Sequence, residues 1–195
     1  MKTIRIVEGH AALPLTGEVV RLHRQELTSG FLSSLGGRAL SLMFEFAAED
    51  SSAILLVAQV EGGRVAGFLL GSVETSGFYR NFLRKKSLRA FLLVAPKLLF
   101  SPARVRKICE TLLYPTRREV RALPAAELMD RVVDRQIQRQ GVGRALFARF
   151  AEVMAEKSVG SFRITTGAFL ADAHRFYEKM GAVRMSDIEV HAQQV

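Results

Sequence analysis

The chain reads as one α/β domain over residues 1–195, and three features of the sequence predict it. Glu127 to Val133 is a short segment ending in β-branched residues, and it leads through a polar, glycine-bearing loop into a helix-periodic run. Ala53 to Val60 and Val65 to Val73 are apolar, β-rich runs joined by Glu61-Gly62-Gly63-Arg64, a hairpin composition. Helical and strand-like patterns alternate elsewhere, with no repeat, low-complexity tract or separate linker. At 195 residues and 49% hydrophobic content there is enough apolar material for one substantial core.

Taken in order, Thr3 to Glu8 alternates as a first strand. Pro14 and Thr16 stand at a helix start, with Val19, Val20, Leu22, His23 and Leu27 on or near one face. Ser29-Gly30 breaks that helix, and a second follows from Ala39 to Ala48 with Leu40, Leu42, Met43, Phe46 and Ala47 available to a core. The hairpin strands are expected at the middle of the sheet. From Gly77 to Leu123, short apolar clusters alternate with basic ones, which reads as a mostly helical insertion between the third and fourth strands. Ala90 to Phe100 is apolar, but a membrane span needs about 20 such residues. Pro96 and Lys97 interrupt it. Ser161 to Thr166 is expected as a fifth strand and Ala171 to Met180 as a helix stopped by Gly181. Residues 182–185 and 188–192 are expected to supply the closing strands.

The loop after the fourth strand has the physics of an anion site. Gly141-Val142-Gly143-Arg144 opens a helix whose apolar positions Val142, Leu146, Phe147, Phe150 and Val153 recur at three- and four-residue steps. The first turn of a helix leaves N–H groups without intrahelical partners and carries positive partial charge, so a phosphate is its natural guest. Glycine at 141 and 143 removes Cβ atoms that would hold a diphosphate off the backbone, and Arg139 and Arg144 add charge beside it. A dinucleotide fingerprint would need a third glycine where Leu146 stands, and a P-loop would need Lys-Ser/Thr where Arg144-Ala145 follows Gly143.

Gln138-Arg139-Gln140-Gly141-Val142-Gly143 resembles the Gln/Arg-x-x-Gly-x-Gly/Ala cofactor loop of the GNAT family of acetyl-CoA-dependent N-acyltransferases. Ala173-His174-Arg175-Phe176-Tyr177-Glu178-Lys179-Met180-Gly181 resembles that family's second signature, in the right order. The resemblance implies the GNAT fold, an α/β (α+β) architecture with a mixed, largely antiparallel central sheet flanked by helices. It implies acetyl-CoA as cosubstrate, no metal, and direct transfer of the acetyl group to an amine. The implied cofactor contacts are Val132, Val133, Gln138, Arg139, Gln140, Gly141, Val142, Gly143, Arg144 and Phe176. Tyr177 is the implied proton donor to the departing thiolate. The backbone N–H of Arg131 is the implied donor to the thioester carbonyl, with Val133 along the pantetheine arm. Glu127, six residues before Val133, matches the glutamate that serves as base in the histone-acetylating branch.

A regular strand would put Glu127, Met129, Arg131 and Val133 on one face and Leu128, Asp130 and Val132 on the other. Glu127 and Asp130 could not then both face the acceptor; Glu127 is preferred, Asp130 is an alternative, and water or residues of the N-terminal helices are left open as the base. The chain departs from the family pattern at Leu170, where Asn is frequent, at Ala182, where Phe is usual, and at Asp134-Arg135-Gln136, where Asp-Pro-Glu is usual.

The formal charge of +9 is concentrated. Between Arg80 and Arg121 twelve Lys and Arg face only Glu110 and Glu119, so that block carries +10 and the rest of the chain −1. A lysine-rich partner would be repelled. The block reads first as the solvated basic face of an elaborated helical connection; its functional readings are an anionic small-molecule amine acceptor, such as a nucleotide-linked amino sugar, or an anionic membrane surface engaged through 80–121. An interleaved aromatic pattern for nucleic acid is absent. The alternative reading is a non-catalytic acyl-CoA-binding module that docks through this insertion, and a homodimer is left open. The single cysteine, Cys109, permits no intrachain disulfide and no zinc set, and Met1 to Val7 alternates without a long apolar region. The expected location is cytoplasmic, with peripheral attachment at the inner membrane surface as its variant.

Overall fold

The computed structural model describes residues 3–27, 36–98, 123–167, 170–185, 189–190 and 193–194. The turn between the first two helices, the second half of the basic insertion and Cys109 lie outside the described residues. The elements run β1 (Arg5–Glu8), α1 (Thr16–Glu26), α2 (Gly37–Glu49), β2 (Ala53–Gln59), β3 (Val65–Ser72), α3 (Thr75–Leu98), β4 (Glu127–Val133), α4 (Val142–Glu156), β5 (Arg163–Ile164), α5 (Ala171–Lys179), β6 (Glu189–Val190) and β7 (Gln193–Gln194). Strands β1 to β5 form one sheet in sequence order, antiparallel except for the parallel β4–β5 pair. Among the described residues, strands β6 and β7 pair only with each other, and 182–185, expected as a strand, has no regular structure.

The sheet is covered on both faces, which is why β2 and β3 read as nearly continuous apolar runs rather than alternating ones. On one face α1 and α2 bring Val19, Leu22, Leu40, Phe44 and Phe46 against Leu55, Val57, Phe68 and Leu70. On the other, α4 and α5 bring Leu146, Phe150 and Tyr177 against Leu56, Ala66, Leu69 and Leu128. The β2–β3 hairpin turns through Gly62 and Gly63, whose φ values of 78° and 77° are left-handed conformations suited to glycine. The first turns of α3 are anchored by buried Thr75 and Phe78, while Lys85 and Lys86 reach Asp50 and Glu49 at 3.7 and 3.8 Å.

Strand β4 departs from regular pairing in two ways. Asp130 lies opposite Leu70 and Leu128 opposite Gly71, so Met129 is one residue too many for its partner strand: a β-bulge. The strict alternation expected from the sequence therefore fails. Leu128, Arg131 and Val133 face α4 and α5, whereas Met129, Asp130 and Val132 face α1 and α2. The second departure is on the other edge, where β5 pairs with β4 only through Glu127–Arg163 and Leu128–Ile164.

A buried ion pair marks the place where β4 and β5 join. Glu127 and Arg163 are 4% and 9% exposed, and Arg163 donates to Glu127 Oε2 from Nη2 at 2.7 Å and from Nε at 3.1 Å. Thr165 donates to the other carboxylate oxygen at 2.9 Å, and Arg163 Nη1 donates to the carbonyl of Pro124 at 2.6 Å. Both ions are thus compensated by short hydrogen bonds, the condition for retaining charge in an interior. Glu127→Ala should lower the unfolding free energy by about 3–5 kcal/mol in urea denaturation, because it leaves the buried guanidinium without its carboxylate. Gly71→Ala should lower it by about 1–3 kcal/mol in the same measurement. Its Cβ would stand 2.3 Å from Phe150 and 2.8 Å from the Glu127 carbonyl.

Candidate active site

The loop from β4 to α4 is built to present main-chain donors. Asp134 accepts from the Gln136 amide at 2.9 Å and from Arg64 at 2.5 Å, which fixes the first turn. Gln138 turns back and donates to the carbonyl of Val133 at 3.1 Å. Arg139 and Gly141 adopt left-handed backbone at φ 62° and 89°. Gly141 is the helix N-cap, and the first intrahelical bond runs from Ala145 to its carbonyl at 2.9 Å. The amides of residues 141 to 144 therefore lack intrahelical acceptors. Arg139, Gln140 and Arg144 are exposed beside them, and no atom lies within 4 Å of where a Gly141 Cβ would be. These residues fit a diphosphate. Val132 and Val142 direct their side chains into the two apolar layers.

Past the bulge, β4 keeps its ladder to β3 but has lost β5. The Asp134 amide donates to Ala66 on the β3 side at 3.0 Å, so alternation turns the amides of Arg131 and Val133 toward the edge that β5 has left. The structure thus brings Arg131, Val133, Tyr177 and the glycine loop to one side of the sheet. At Gly143 a Cβ would stand 2.7 Å from Arg131 Nη1 and 3.8 Å from Phe176, so a larger residue there would make the Arg131 guanidinium shift.

The Arg131 side chain takes a position that sequence reasoning, looking only to its main chain, did not anticipate. Its guanidinium carbon lies 3.8 Å from the centroid of the Phe176 ring and 5.0 Å from that of Tyr177. Its Nε donates to the Tyr177 hydroxyl at 3.2 Å. Tyr177 is 8% exposed and packs its ring against Phe147 and Phe176. Because the phenol oxygen already accepts from Arg131, its own hydrogen is left to point at another acceptor.

The two candidate bases differ in their surroundings. All of Glu127's short contacts belong to the Arg163 and Thr165 arrangement described above. Asp130 lies instead beside His23 of α1, with its Oδ2 3.3 Å from the imidazole Nε2 and its side chain 13% exposed. Burial pushes the Asp130 carboxyl up to about 7, against a downward pull from the Arg131 amide and charge. Burial also holds His23 down at about 4, so the imidazole is neutral near pH 7. His23 was legible in the sequence only as one more position on the inner face of α1; nothing in its spacing signalled a carboxylate more than 100 residues away.

The family signatures extend into known proteins. The sequence matches the Acetyltransferase (GNAT) family over residues 19–182. No curated protein matches it. The chain resembles the solved structure of the aminoglycoside N-acetyltransferase AAC(6')-Iy in complex with CoA, with a TM-score of 0.62 at 11% identity, covering 97% of this chain and 93% of that one. It also resembles the aminoglycoside acetyltransferase meta-AAC0020 from an uncultured soil metagenomic sample, solved with trehalose, with a TM-score of 0.59 at 16% identity, covering 95% and 92%. A ribosomal-protein-alanine N-acetyltransferase from Brucella melitensis biovar Abortus 2308 gives a TM-score of 0.55 at 14% identity, covering 96% and 97%. At such identities the likeness is one of fold. With the family match spanning the glycine loop, the interrupted strand and the Tyr177 helix, the chain belongs to the GNAT acetyltransferase family.

Proposed function

We propose that this protein transfers the acetyl group of acetyl-CoA to the amine of a small-molecule acceptor by direct attack in a ternary complex. The observation that carries the reading is the juxtaposition of the β4 edge that β5 leaves, the Arg131–Tyr177 contact and the glycine loop. Acetyl-CoA, when bound, supplies the activated thioester. Amides 141 to 144, with Arg139 and Arg144, hold the diphosphate. The Arg131 amide donates to the thioester oxygen as negative charge develops there, and Val133 aligns the pantetheine arm. Tyr177 gives its proton to the departing sulfur, while Phe176 keeps the Arg131 guanidinium in place. Glu127 is assigned a structural role, because serving as base would require it to leave Arg163 and Thr165.

The acceptor class rests on charge. Aminoglycosides and a ribosomal-protein alanine stand in the names of the fold neighbours, but the +10 block of residues 80 to 121 favours an anionic amine here. One observation favours a second attachment for the same block. In α3 the outward-facing Leu88, Phe91 and Leu92 are 71%, 61% and 63% exposed and lie beside Arg84, Lys85 and Arg89. Apolar side chains flanked by cations suit an anionic membrane surface. No helix among the described residues is long and apolar enough to cross a membrane, so this attachment is peripheral.

Tyr177→Phe should reduce kcat by about 100-fold or more. Its calorimetric affinity for coenzyme A should stay unchanged; loss of binding instead would assign Tyr177 to packing. The full chain should co-sediment with phosphatidylserine vesicles and not with neutral phosphatidylcholine vesicles, and should release as salt rises. Replacing Leu88 and Phe91 together by Glu should abolish sedimentation.

A further inference from the structure

On the face of β4 that meets α5, one cation stands where packing alone does not call for it. The Arg131 guanidinium carbon lies 3.8 Å from the Phe176 ring centroid, and a Cβ added at Gly143 would come within 2.7 Å of its Nη1. Gly143 belongs to the first turn of α4. That end of a helix carries positive partial charge, so a guanidinium packed against it is poorly placed unless it gains something elsewhere. Among the described residues no carboxylate pairs with Arg131; the polar contact of its side chain is the Tyr177 hydroxyl, which accepts from Nε at 3.2 Å.

This contact has a fixed polarity. A guanidinium offers five N–H donors and no acceptor, and it is always protonated in a protein. The phenol oxygen can only accept from it, so the phenol hydrogen is turned away. Among the described residues no acceptor receives that hydrogen. The ring is held in place, with centroids 6.1 Å from Phe147 and 5.3 Å from Phe176.

We propose that the Arg131 side chain is a positioning residue for Tyr177, fixing the phenol as a donor toward the coenzyme sulfur and balancing the charge its oxygen gains as the proton leaves; this rests on the acetyl-transfer reading. As a neutral amine nitrogen forms the C–N bond at the acyl carbon, the C–S bond breaks and its electron pair leaves with sulfur. Sulfur takes the Tyr177 proton. The oxygen left behind keeps the Arg131 N–H bond, which is stronger to an anion than to a neutral oxygen, so the contact favours the transition state over the ground state. The proton lost by nitrogen restores the phenol, leaving amide and thiol with the protein unchanged. Arg131 thus has two separable tasks, because replacing its side chain leaves its main-chain amide in place.

Other charged or titratable groups near the phenol are His174 and Glu178 of α5, Arg163 of β5 and Arg184, which line one cavity with Tyr177. His174 Nε2 lies 3.1 Å from the Gly167 carbonyl, and Arg163 is held by Glu127. Among the described residues Arg131 alone hydrogen-bonds the phenol.

The test is the thiolate absorbance of coenzyme A bound to the full chain, followed against pH. A phenol hydrogen directed at sulfur favours the thiolate, so Tyr177→Phe should raise the midpoint of the bound thiol by about one pH unit. Arg131→Gln, whose amide oxygen offers the phenol a competing acceptor, should raise it similarly, while Arg131→Lys, a donor without an acceptor, should stay near the parent. Removing a cation from a helix N-terminus should not weaken the fold, so Arg131→Gln is expected to melt with the parent. In the Tyr177→Phe background Arg131→Gln should add little, because its effect runs through the phenol. Shifts that add in the double variant would overturn the proposal by showing that Arg131 acts on sulfur through its charge alone. An Arg131→Gln midpoint equal to the parent's would overturn it as well, and so would loss of coenzyme A heat in that variant at an unchanged melting temperature, which would make the guanidinium a coenzyme ligand. Absence of any heat with coenzyme A in the parent would fail the acetyl-transfer reading itself, whereas coenzyme binding with an indifferent Arg131→Gln fails only this assignment.

Discussion

Strand β4 cannot satisfy both of its neighbours along its whole length, and the architecture of the site follows from that. Toward β3 it is paired throughout, with one residue too many at Met129. Toward β5 it is paired for two residues and then released. The release is sharp because the Glu127–Arg163 ion pair and the Thr165 hydroxyl tie the strands together immediately before the opening. In a regular parallel pair the next amides would be consumed by the ladder; here those of Arg131 and Val133 point to the edge that β5 has left.

Charge is sorted in the same economical way. Cations that would meet a diphosphate, Arg139 and Arg144, are exposed, where their hydration costs little. Two buried pairs on β4 contrast: Glu127 with Arg163, compensated by short hydrogen bonds, and Asp130 with His23, 3.3 Å apart and with Asp130 Oδ2 accepting no hydrogen bond. The first pair is suited to holding a strand. The second retains a carboxyl whose proton is poorly held in water but readily held in the apolar layer, the usual origin of a group able to exchange protons near neutrality.

Much of the fold was legible in the sequence. The hairpin through Gly62 and Gly63, the limits of β4 at Glu127 and Val133, and the start of α4 at Val142 all follow from local chemistry: turn glycines, β-branched residues and apolar spacing. The glycine loop was legible for the same reason, since a helix N-terminus is a local object. The face assignment within β4 was not. Period-two counting has no means of detecting an extra residue, because a bulge is defined by the partner strand, and Gly71 reveals its role only against Phe150 and the Glu127 carbonyl. Closing strands expected at 182–185 likewise depend on what β5 offers as a partner, and β5 is only two residues long.

By itself the sequence determined the order of elements through α5, the glycine turn at 139–144 and the family signatures at 138–143 and 173–181, because each is encoded within a few consecutive residues. Only tertiary structure decided that Glu127 holds Arg163, that the Arg131 side chain meets Tyr177, and that Asp130 lies against His23. Those pairs join residues 36, 46 and more than 100 positions apart, and their chemistry depends on burial that arises only when the two faces of the sheet are covered.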